Sequence, residues 1–256
     1  MNSIKTAIAA AAVTLSLGAH AALIDDFNGG LQFARDNNAA DGTGVGSSVA
    51  YLPAIGGFRE VFANKGVSTL TDPSPGFPGL GVEITVVAGS LGFSQDTGQG
   101  GLGIVRYHGN NAPGSFALNN AGYLATLNRS GLCNPTCANL SITSSAFQIT
   151  VLSADAGFGF ELQAFSDAVN WSNFATIAAA GPAVYVIPFA AFLPAGGIGA
   201  NFGSIGALQA LLNTSGTIDV DLRIDIVSTV PTPGSLALVG LALVGLGLAR
   251  RKTAQV

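Results

Sequence analysis

The chain contains two cysteines, which enclose the short segment Cys133-Asn134-Pro135-Thr136-Cys137. In an oxidising compartment an isolated pair of cysteines is typically a disulfide. The Asn-Pro dipeptide favours a turn that brings the two sulfurs together. Redox or metal chemistry is disfavoured, because the spacing is not Cys-x-x-Cys and no thioredoxin-like unit surrounds it. The segment therefore predicts a structural disulfide between Cys133 and Cys137.

A second group of residues that could do chemistry consists of aspartates near the start and the end of residues 22–229. Three of them alternate along one expected strand and so share a face, and two lie in the opening strand. The residues are Asp25, Asp26, Asp219, Asp221 and Asp225. Clustered carboxylate oxygens suit Ca²⁺, which makes these residues candidate calcium ligands. The alternative is a solvated strand face with Arg223 among the acids, and no EF-hand or nonapeptide calcium loop is present.

Aromatic residues beside polar groups are candidates for contact with sugars. Trp171, the only tryptophan, lies in the polar stretch 167–173. Tyr107 and His108 end an apolar run and form a second candidate pair. An aromatic ring in a loop can stack on a sugar ring, but a single tryptophan is as often an edge-packing residue.

Catalytic constellations are not evident. His108 is the one histidine beyond the first 21 residues, so neither a multi-histidine zinc site nor H-E-x-x-H can form there. A nucleophile elbow and a P-loop are also missing. Glu60, Glu83 and Glu161 are the only glutamates, and the sequence places no two of them together as a glycosidase would need. We therefore expect a protein that is not an enzyme and has no cofactor beyond the candidate Ca²⁺.

Charge excludes one class of partner. Residues 22–229 carry 6 basic and 14 acidic side chains. Nucleic-acid binding depends on lysines and arginines that neutralise phosphates. Because no basic patch is present, we expect no nucleic-acid partner.

The first 21 residues have the three parts of a signal peptide. Lys5 supplies a positive start, residues 6–17 form the apolar region, and Ala19 and Ala21 are small residues before a cleavage site. An uncleaved anchor is the alternative, but the run is short for a membrane span. We expect cleavage and a mature chain that begins near Ala22.

The last 27 residues, 230–256, also fall into three parts. They are the motif Val230-Pro231-Thr232-Pro233-Gly234, an apolar stretch over residues 234–249, and the basic cluster Arg250-Arg251-Lys252. As a helix the apolar stretch would measure about 24 Å, which is short against a hydrocarbon core of about 30 Å. The basic cluster would stay on the cytoplasmic side of the membrane.

This tail resembles the PEP-CTERM sorting signal, in which a Val-Pro-Glu-Pro-like motif precedes a short apolar helix and an arginine cluster. The resemblance implies transient residence in the inner membrane of a Gram-negative-type bacterium and processing by an exosortase. It also implies a final location at the cell surface or in the extracellular matrix. Thr232 departs from the pattern, because the family usually has glutamate there. A plain single-span anchor is the alternative interpretation.

Between residues 22 and 229 short β-type runs are separated by turn residues, which is typical of a sandwich or barrel. Apolar and polar residues alternate in these runs, as in strands with one buried face. The runs are Val82–Val87, Ala146–Leu152, Phe158–Phe165, Ala183–Phe189 and Thr217–Val227. Residues 204–212 fit a helix or, over Ala207–Leu212, a hairpin into the last strand. No linker divides the body, so we expect one all-β domain.

The order of features resembles the galactose-binding-like jelly-roll domains. The opening Leu23–Phe27 run, the segments Ile55–Glu60 and Ile187–Phe192, and an Asp-rich closing strand carry this resemblance. It implies a single β-sandwich in which the first and last strands are neighbours.

These observations lead to a functional hypothesis. We expect an exported, exosortase-sorted surface or extracellular protein that is not an enzyme and associates with exopolysaccharide or the biofilm matrix. A carbohydrate-binding module is the first alternative, and a secreted hydrolase is the second.

Overall fold

The computed structural model describes residues 21–37, 43–68, 80–109, 114–119 and 126–231, with backbone only at 67–68 and 114–119. The expected signal peptide therefore lies outside the described residues, apart from Ala21. So do Thr232, Pro233, Gly234 and the basic cluster Arg250-Arg251-Lys252. Among the residues described, no helix is long and apolar enough to cross a membrane.

The described chain folds into strands joined by turns and two short 3-10 turns, at Ile55–Gly57 and Phe189–Ala191. The strands are β1 (Leu23–Asp25), β2 (Gln32–Asp36), β3 (Thr43–Ala50), β4 (Phe58–Ser68), β5 (Val82–Val87), β6 (Ser90–Gln95), β7 (Gln99–Tyr107), β8 (Gly114–Asn119), β9 (Ser144–Ala154), β10 (Phe158–Phe165), β11 (Trp171–Ala178), β12 (Ala183–Pro188), β13 (Leu193–Gly196), β14 (Ala207–Leu212) and β15 (Leu222–Pro231).

The strands form two antiparallel sheets. Sheet A has the order β12-β9-β15-β6-β5-β2, with β1 also paired to β15. Sheet B has the order β13-β11-β10-β14-β7-β4-β3-β8. The expected all-β sandwich is confirmed, and so is the expected neighbourhood of the first and last strands, since Leu23 pairs with Ser228.

The core lies between the sheets and follows from the alternation within each strand. In β5, for example, Val82, Ile84 and Val86 are buried, while the side chains between them face outward. Phe93 from sheet A and Val105 from sheet B belong to the same apolar cluster. Burial of such side chains contributes about 1.5–3 kcal/mol each, which makes this layer the main source of stability.

Strand positions agree with the sequence in several places. The bounds of β5 and β10 are those predicted, and β9 and β12 cover the predicted runs to within a few residues. The disulfide between Cys133 and Cys137 is also confirmed, with Cα atoms 3.6 Å apart.

Two predictions near the C-terminal end of the body are wrong. Residues 207–212 form β14, which lies in sheet B between β10 and β7 and makes no hairpin with β15 of sheet A. The last strand begins at Leu222 and not at Thr217, because Asp219 takes a left-handed conformation with φ of 58° that interrupts an extended chain. At its other end β15 continues through Val230 and Pro231, which pair with Ala146 and Ser144.

A buried ion pair joins the two sheets. Asp25 of β1 accepts hydrogen bonds from Nη1 of Arg59 in β4, at 2.9 Å to each carboxylate oxygen. Both side chains are 0% exposed. The hydroxyl of Tyr107 donates to the same carboxylate at 3.0 Å. Burial is the main reason that the pKa of Tyr107 lies well above its ordinary value. Every charged atom in this cluster has a partner, which a buried ion pair requires.

The remaining donors of Arg59 hold the start of β2. Its Nη2 donates to the carbonyl oxygens of Gly29 and Gly30, and its Nε donates to the amide oxygen of Gln32. Its guanidinium also lies over the rings of Phe27 and Tyr51. The position of β2 in sheet A therefore depends on a residue of sheet B.

We expect Arg59→Met to lower the free energy of unfolding by about 3–5 kcal/mol, because it leaves the Asp25 carboxylate buried without its cation. The matched control is Arg35→Gln, which breaks the part-exposed pairs with Glu83 and Asp96 and is expected to cost less than about 1 kcal/mol. Urea unfolding measures both values. Equal losses in the two variants would contradict the structural role given to Arg59.

Candidate functional site

A row of side chains crosses the outer face of sheet A, on the side away from the core. The row consists of directly paired residues from β2, β5, β6, β15 and β9, namely Phe33, Thr85, Gly92, Arg223 and Ser153. Cross-strand partners point to the same face of a sheet. With neighbouring strands about 4.8 Å apart, the row spans about 19 Å.

An open groove of about 370 Å³ lies along this row. Its polar lining consists of Thr85, Ser90, Ser94, Ser153, Asp221 and Arg223. Val87 adds an apolar side chain on the same face and is exposed. Phe33 pairs with Thr85 at the end of the row, and 58% of its surface is exposed. The groove thus combines hydroxyl groups, one guanidinium and one carboxylate with an exposed aromatic ring beside it.

The floor of the groove is open at Gly92. A Cβ at this position would lie 2.9 Å from the hydroxyl of Thr85 and would meet no other atom within 4 Å. Any larger side chain would therefore rise into the groove. Absence of a side chain is what allows a ligand to approach the backbone here.

Among the described residues, Ser90 is the one hydrogen-bond partner of the Arg223 side chain. Its Nε donates to the hydroxyl of Ser90 at 2.8 Å, and that hydroxyl donates in turn to the carbonyl of Val87 at 3.2 Å. These groups are placed by the two-residue hairpin turn between β5 and β6. Ala88 and Gly89 form this turn with positive φ angles, and Val87 and Ser90 on either side of it are directly paired. Ser90 and this turn together hold the Arg223 guanidinium at the groove.

Asp221 lies two residues before Arg223 on the same chain. Its backbone N–H donates to Asp155 at 2.7 Å. Desolvation is the largest cause that raises the pKa of the Asp221 carboxyl, and the negative charge of Asp155 raises it further. Asp221 therefore binds a proton more readily than an ordinary aspartate.

The five candidate calcium ligands are not brought together. Asp25 is in the core with Arg59, and its pairing partner in β15 is Val227. Asp26 accepts from the Tyr51 hydroxyl at 2.6 Å. Burial raises the pKa of Asp26, but hydrogen bonds from Tyr51 and Asn28 outweigh it and lower the value overall.

The others serve local structure or stand apart. Asp219 accepts a short hydrogen bond from the N–H of Gly98, Asp221 faces the groove, and Asp225 lies in β15. No group of three or more metal-ligating side chains occurs within the described ranges. The geometry expected for Ca²⁺ is therefore not formed by these five residues.

Two of the three candidate sugar contacts are buried. Tyr107 is 4% exposed and bonded to Asp25, so its ring belongs to the core. His108 is 2% exposed; its Nδ1 accepts the N–H of Asn128 at 2.9 Å, which places the proton on Nε2, 2.7 Å from Glu60. Neither ring presents a face to a ligand, contrary to expectation, because Tyr107 is the last residue of the inner strand β7 and His108 directly follows it.

Trp171 is half-buried at the other end of sheet B. Its ring stacks on Phe165 with centroids 5.3 Å apart and an interplanar angle of 19°. Gly196 lies against its edge, so closely that a Cβ there would overlap the indole nitrogen. The packing fits the edge-packing alternative considered for this tryptophan, and Trp171 is on the opposite sheet from the groove.

Sequence reasoning missed the groove because the row of side chains along it comes from five strands. One signal was present: Gln32-Phe33-Ala34-Arg35-Asp36 alternates, with Phe33 among the outward residues. An outward phenylalanine has no partner in the core. Which other strands share that face depends on pairing, which alternation within one strand does not reveal.

No family model and no curated protein matches the chain. Among solved structures, it is similar to a family 11 carbohydrate-binding module from Clostridium thermocellum in complex with a β-1,3-1,4-mixed-linked tetrasaccharide. That match has 9% identity and a TM-score of 0.36 over 82% of this chain and 96% of the other. The family 11 module of a cellulosomal cellulase of the same organism matches with 9% identity and a TM-score of 0.32, over 83% and 95%. A likeness this low bears on neither the ligand nor the binding site of this chain.

Proposed function

We propose that this protein is an exported, non-enzymatic jelly-roll protein that binds polysaccharide at the cell surface or in the extracellular matrix. The signal-peptide pattern of residues 1–21 and the PEP-CTERM-like tail, residues 230–256, support export and sorting. The open groove on sheet A supports binding. Its exopolysaccharide partner would be met outside the inner membrane, after processing by an exosortase.

The observation that carries the proposal is the combination of Phe33 with the polar groove beside it. Sugars present hydroxyl groups at their edges and C–H groups on their faces. Hydroxyl, guanidinium and carboxylate groups bind such edges by hydrogen bonds, and an aromatic ring packs against such faces. Phe33 is the one aromatic residue among the exposed large hydrophobic side chains of the described part of the chain, and 58% of its surface is open to a ligand.

The dimensions favour a chain of sugars over a single sugar. The row from Phe33 to Ser153 spans about 19 Å across five strands. The groove is open to solvent, in contrast to the enclosed pockets that bury most of a small ligand. A polymer can run along such a surface and leave it at either end.

The number of carboxylates in the groove favours a binding function over a hydrolytic one. Glycoside hydrolysis usually needs two carboxyl groups on opposite sides of the scissile bond. Asp221 is the one carboxylate among the residues that line the groove. Glu83 lies nearby on the outer face but is paired with Arg35 at 3.1 Å. Release of reducing sugars that is lost in Asp221→Asn would support the hydrolase alternative.

The end of β15 bears on the sorting part of the proposal. The strand continues to Pro231, so the fold includes the first two residues of the motif Val230-Pro231-Thr232-Pro233-Gly234. A chain that ends at Pro231 keeps every strand described above, whereas one that ends at Thr229 loses two pairs with β9.

We therefore expect a stop after Pro231 to release folded protein into the medium, because the sorting tail is removed and the sandwich is kept. Cell fractionation and the thermal unfolding of the released protein measure the two effects. The control is the full-length chain, which keeps the basic cluster Arg250-Arg251-Lys252. Retention of the truncated form at its normal location would contradict the sorting function of the tail.

For the groove, we expect Gly92→Val to weaken polysaccharide binding at least about tenfold, a change of about 1.4 kcal/mol, because the side chain fills the floor. Phe33→Ala should weaken it as well. Ala175→Val is the control, since it enlarges a small residue to valine at an exposed position of sheet B. Affinity electrophoresis against a panel of polysaccharides measures retardation.

Normal binding by Gly92→Val, together with loss in Trp171→Ala, would move the site to sheet B. Failure of the unmodified protein to bind any polysaccharide would overturn the proposed function.

A further inference from the structure

We propose that the groove selects polysaccharides that carry carboxylate groups, with Arg223 as the residue that binds the carboxylate. This inference rests on the polysaccharide-binding function proposed above and names the class of polymer.

Arg223 differs from the other arginines in the described part of the chain. Each of the others is held by partners within the fold. Arg35 pairs with Glu83 and Asp96, Arg59 with Asp25, and Arg106 with Glu60, while Arg129 donates to the carbonyl of Ala168 and lies over the ring of Phe165. Arg223 gives Nε to Ser90, and both of its Nη groups have no partner among the described residues.

The two acidic neighbours of Arg223 form no ion pair with it. Asp221 precedes it by two residues and Asp225 follows by two, yet neither carboxylate is within 4.0 Å of the guanidinium. Residues two apart on a strand are separated by about 7 Å along the chain. The cation in the middle of the groove is therefore available to an anion from outside.

The bond to Ser90 prepares Arg223 for this task. A guanidinium is planar and always charged, and its paired N–H groups match the two oxygens of a carboxylate. With Nε fixed, the Nη groups remain for such a pair, and less side-chain freedom is lost on binding. Gly92 on one side of Arg223 leaves room for the sugar that bears the acid.

The acidic groups at one end of the groove limit the charge of the ligand. Asp221 lies beside Asp155 and would repel a second carboxylate placed close to the first. A polymer with acidic sugars spaced between neutral ones therefore fits better than one with an acid on every sugar.

The test compares one polysaccharide in two forms: a heteropolysaccharide with one glucuronic acid in each repeat, and the same polymer after chemical reduction of its carboxyl groups. Calorimetric titration at fixed ionic strength measures affinity. We expect the unmodified protein to bind the acidic form at least about tenfold more tightly than the reduced form. Arg223→Gln should lose this preference, because its loss of affinity for the acidic form should exceed its loss for the reduced form by about tenfold.

Arg129→Gln is the matched control, because it removes the same charge from a turn beside sheet B, where Arg129 lies over the ring of Phe165, and it should keep the preference. Arg223→Lys keeps the positive charge but lacks the planar pair of donors, so it should keep only part of the preference for the acidic form. Equal affinity of the unmodified protein for the two forms, or an equal loss for both in Arg223→Gln, would overturn the role of Arg223 and leave polysaccharide binding intact. Binding to neither form would overturn the proposed function and this inference together.

Discussion

The buried ion pair between Arg59 and Asp25 is the interaction on which the rest of the structure depends. Charged groups removed from water cost several kcal/mol each unless they are paired and fully hydrogen-bonded. The hydrogen bonds of this pair form only when β1 of sheet A and β4 of sheet B are at one particular distance and orientation. It therefore selects one arrangement of two sheets whose apolar contacts are much less directional.

The same pair also holds two of the strands that carry the row of side chains along the groove. Through Gly29, Gly30 and Gln32, Arg59 holds the start of β2, which carries Phe33. Through Asp25 it holds β1, which pairs with β15, the strand that carries Arg223. A charge cluster in the core thus positions an aromatic ring and a cation on the outer face of sheet A. In sheet A, the side chains that face the core stabilise the fold, and those on the outer face line the groove.

Periodicity was sufficient to find several strands and insufficient to place them. The strict alternation of β5 made its bounds readable from the sequence, because one face is apolar and the other polar. Residues 207–212 were ambiguous, because both faces of β14 are mostly buried in sheet B and the run Ala-Leu-Gln-Ala-Leu-Leu lacks a clear period of two. The cysteine pair was predictable, because its partners are local in sequence.

The candidate residues show the same limit. The chemical types of Asp25 and Tyr107 predict contacts with a ligand, but the direction of each side chain within its strand places both in the core. Asp25 and Asp26 are adjacent, so a strand must turn one inward and one outward, and only pairing decides which. The groove was not predictable, because Phe33, Gly92 and Arg223 meet through pairing between strands that are distant in sequence.

The most direct test of the account is a map of the binding surface. Backbone amide shifts in a ¹H–¹⁵N NMR titration of the unmodified protein with oligosaccharides of a bound polymer would locate the ligand. We expect the largest changes in the row across sheet A, at Phe33, Thr85, Gly92, Arg223 and Ser153. Changes concentrated around Trp171 and Asn173, with this row unaffected, would contradict it.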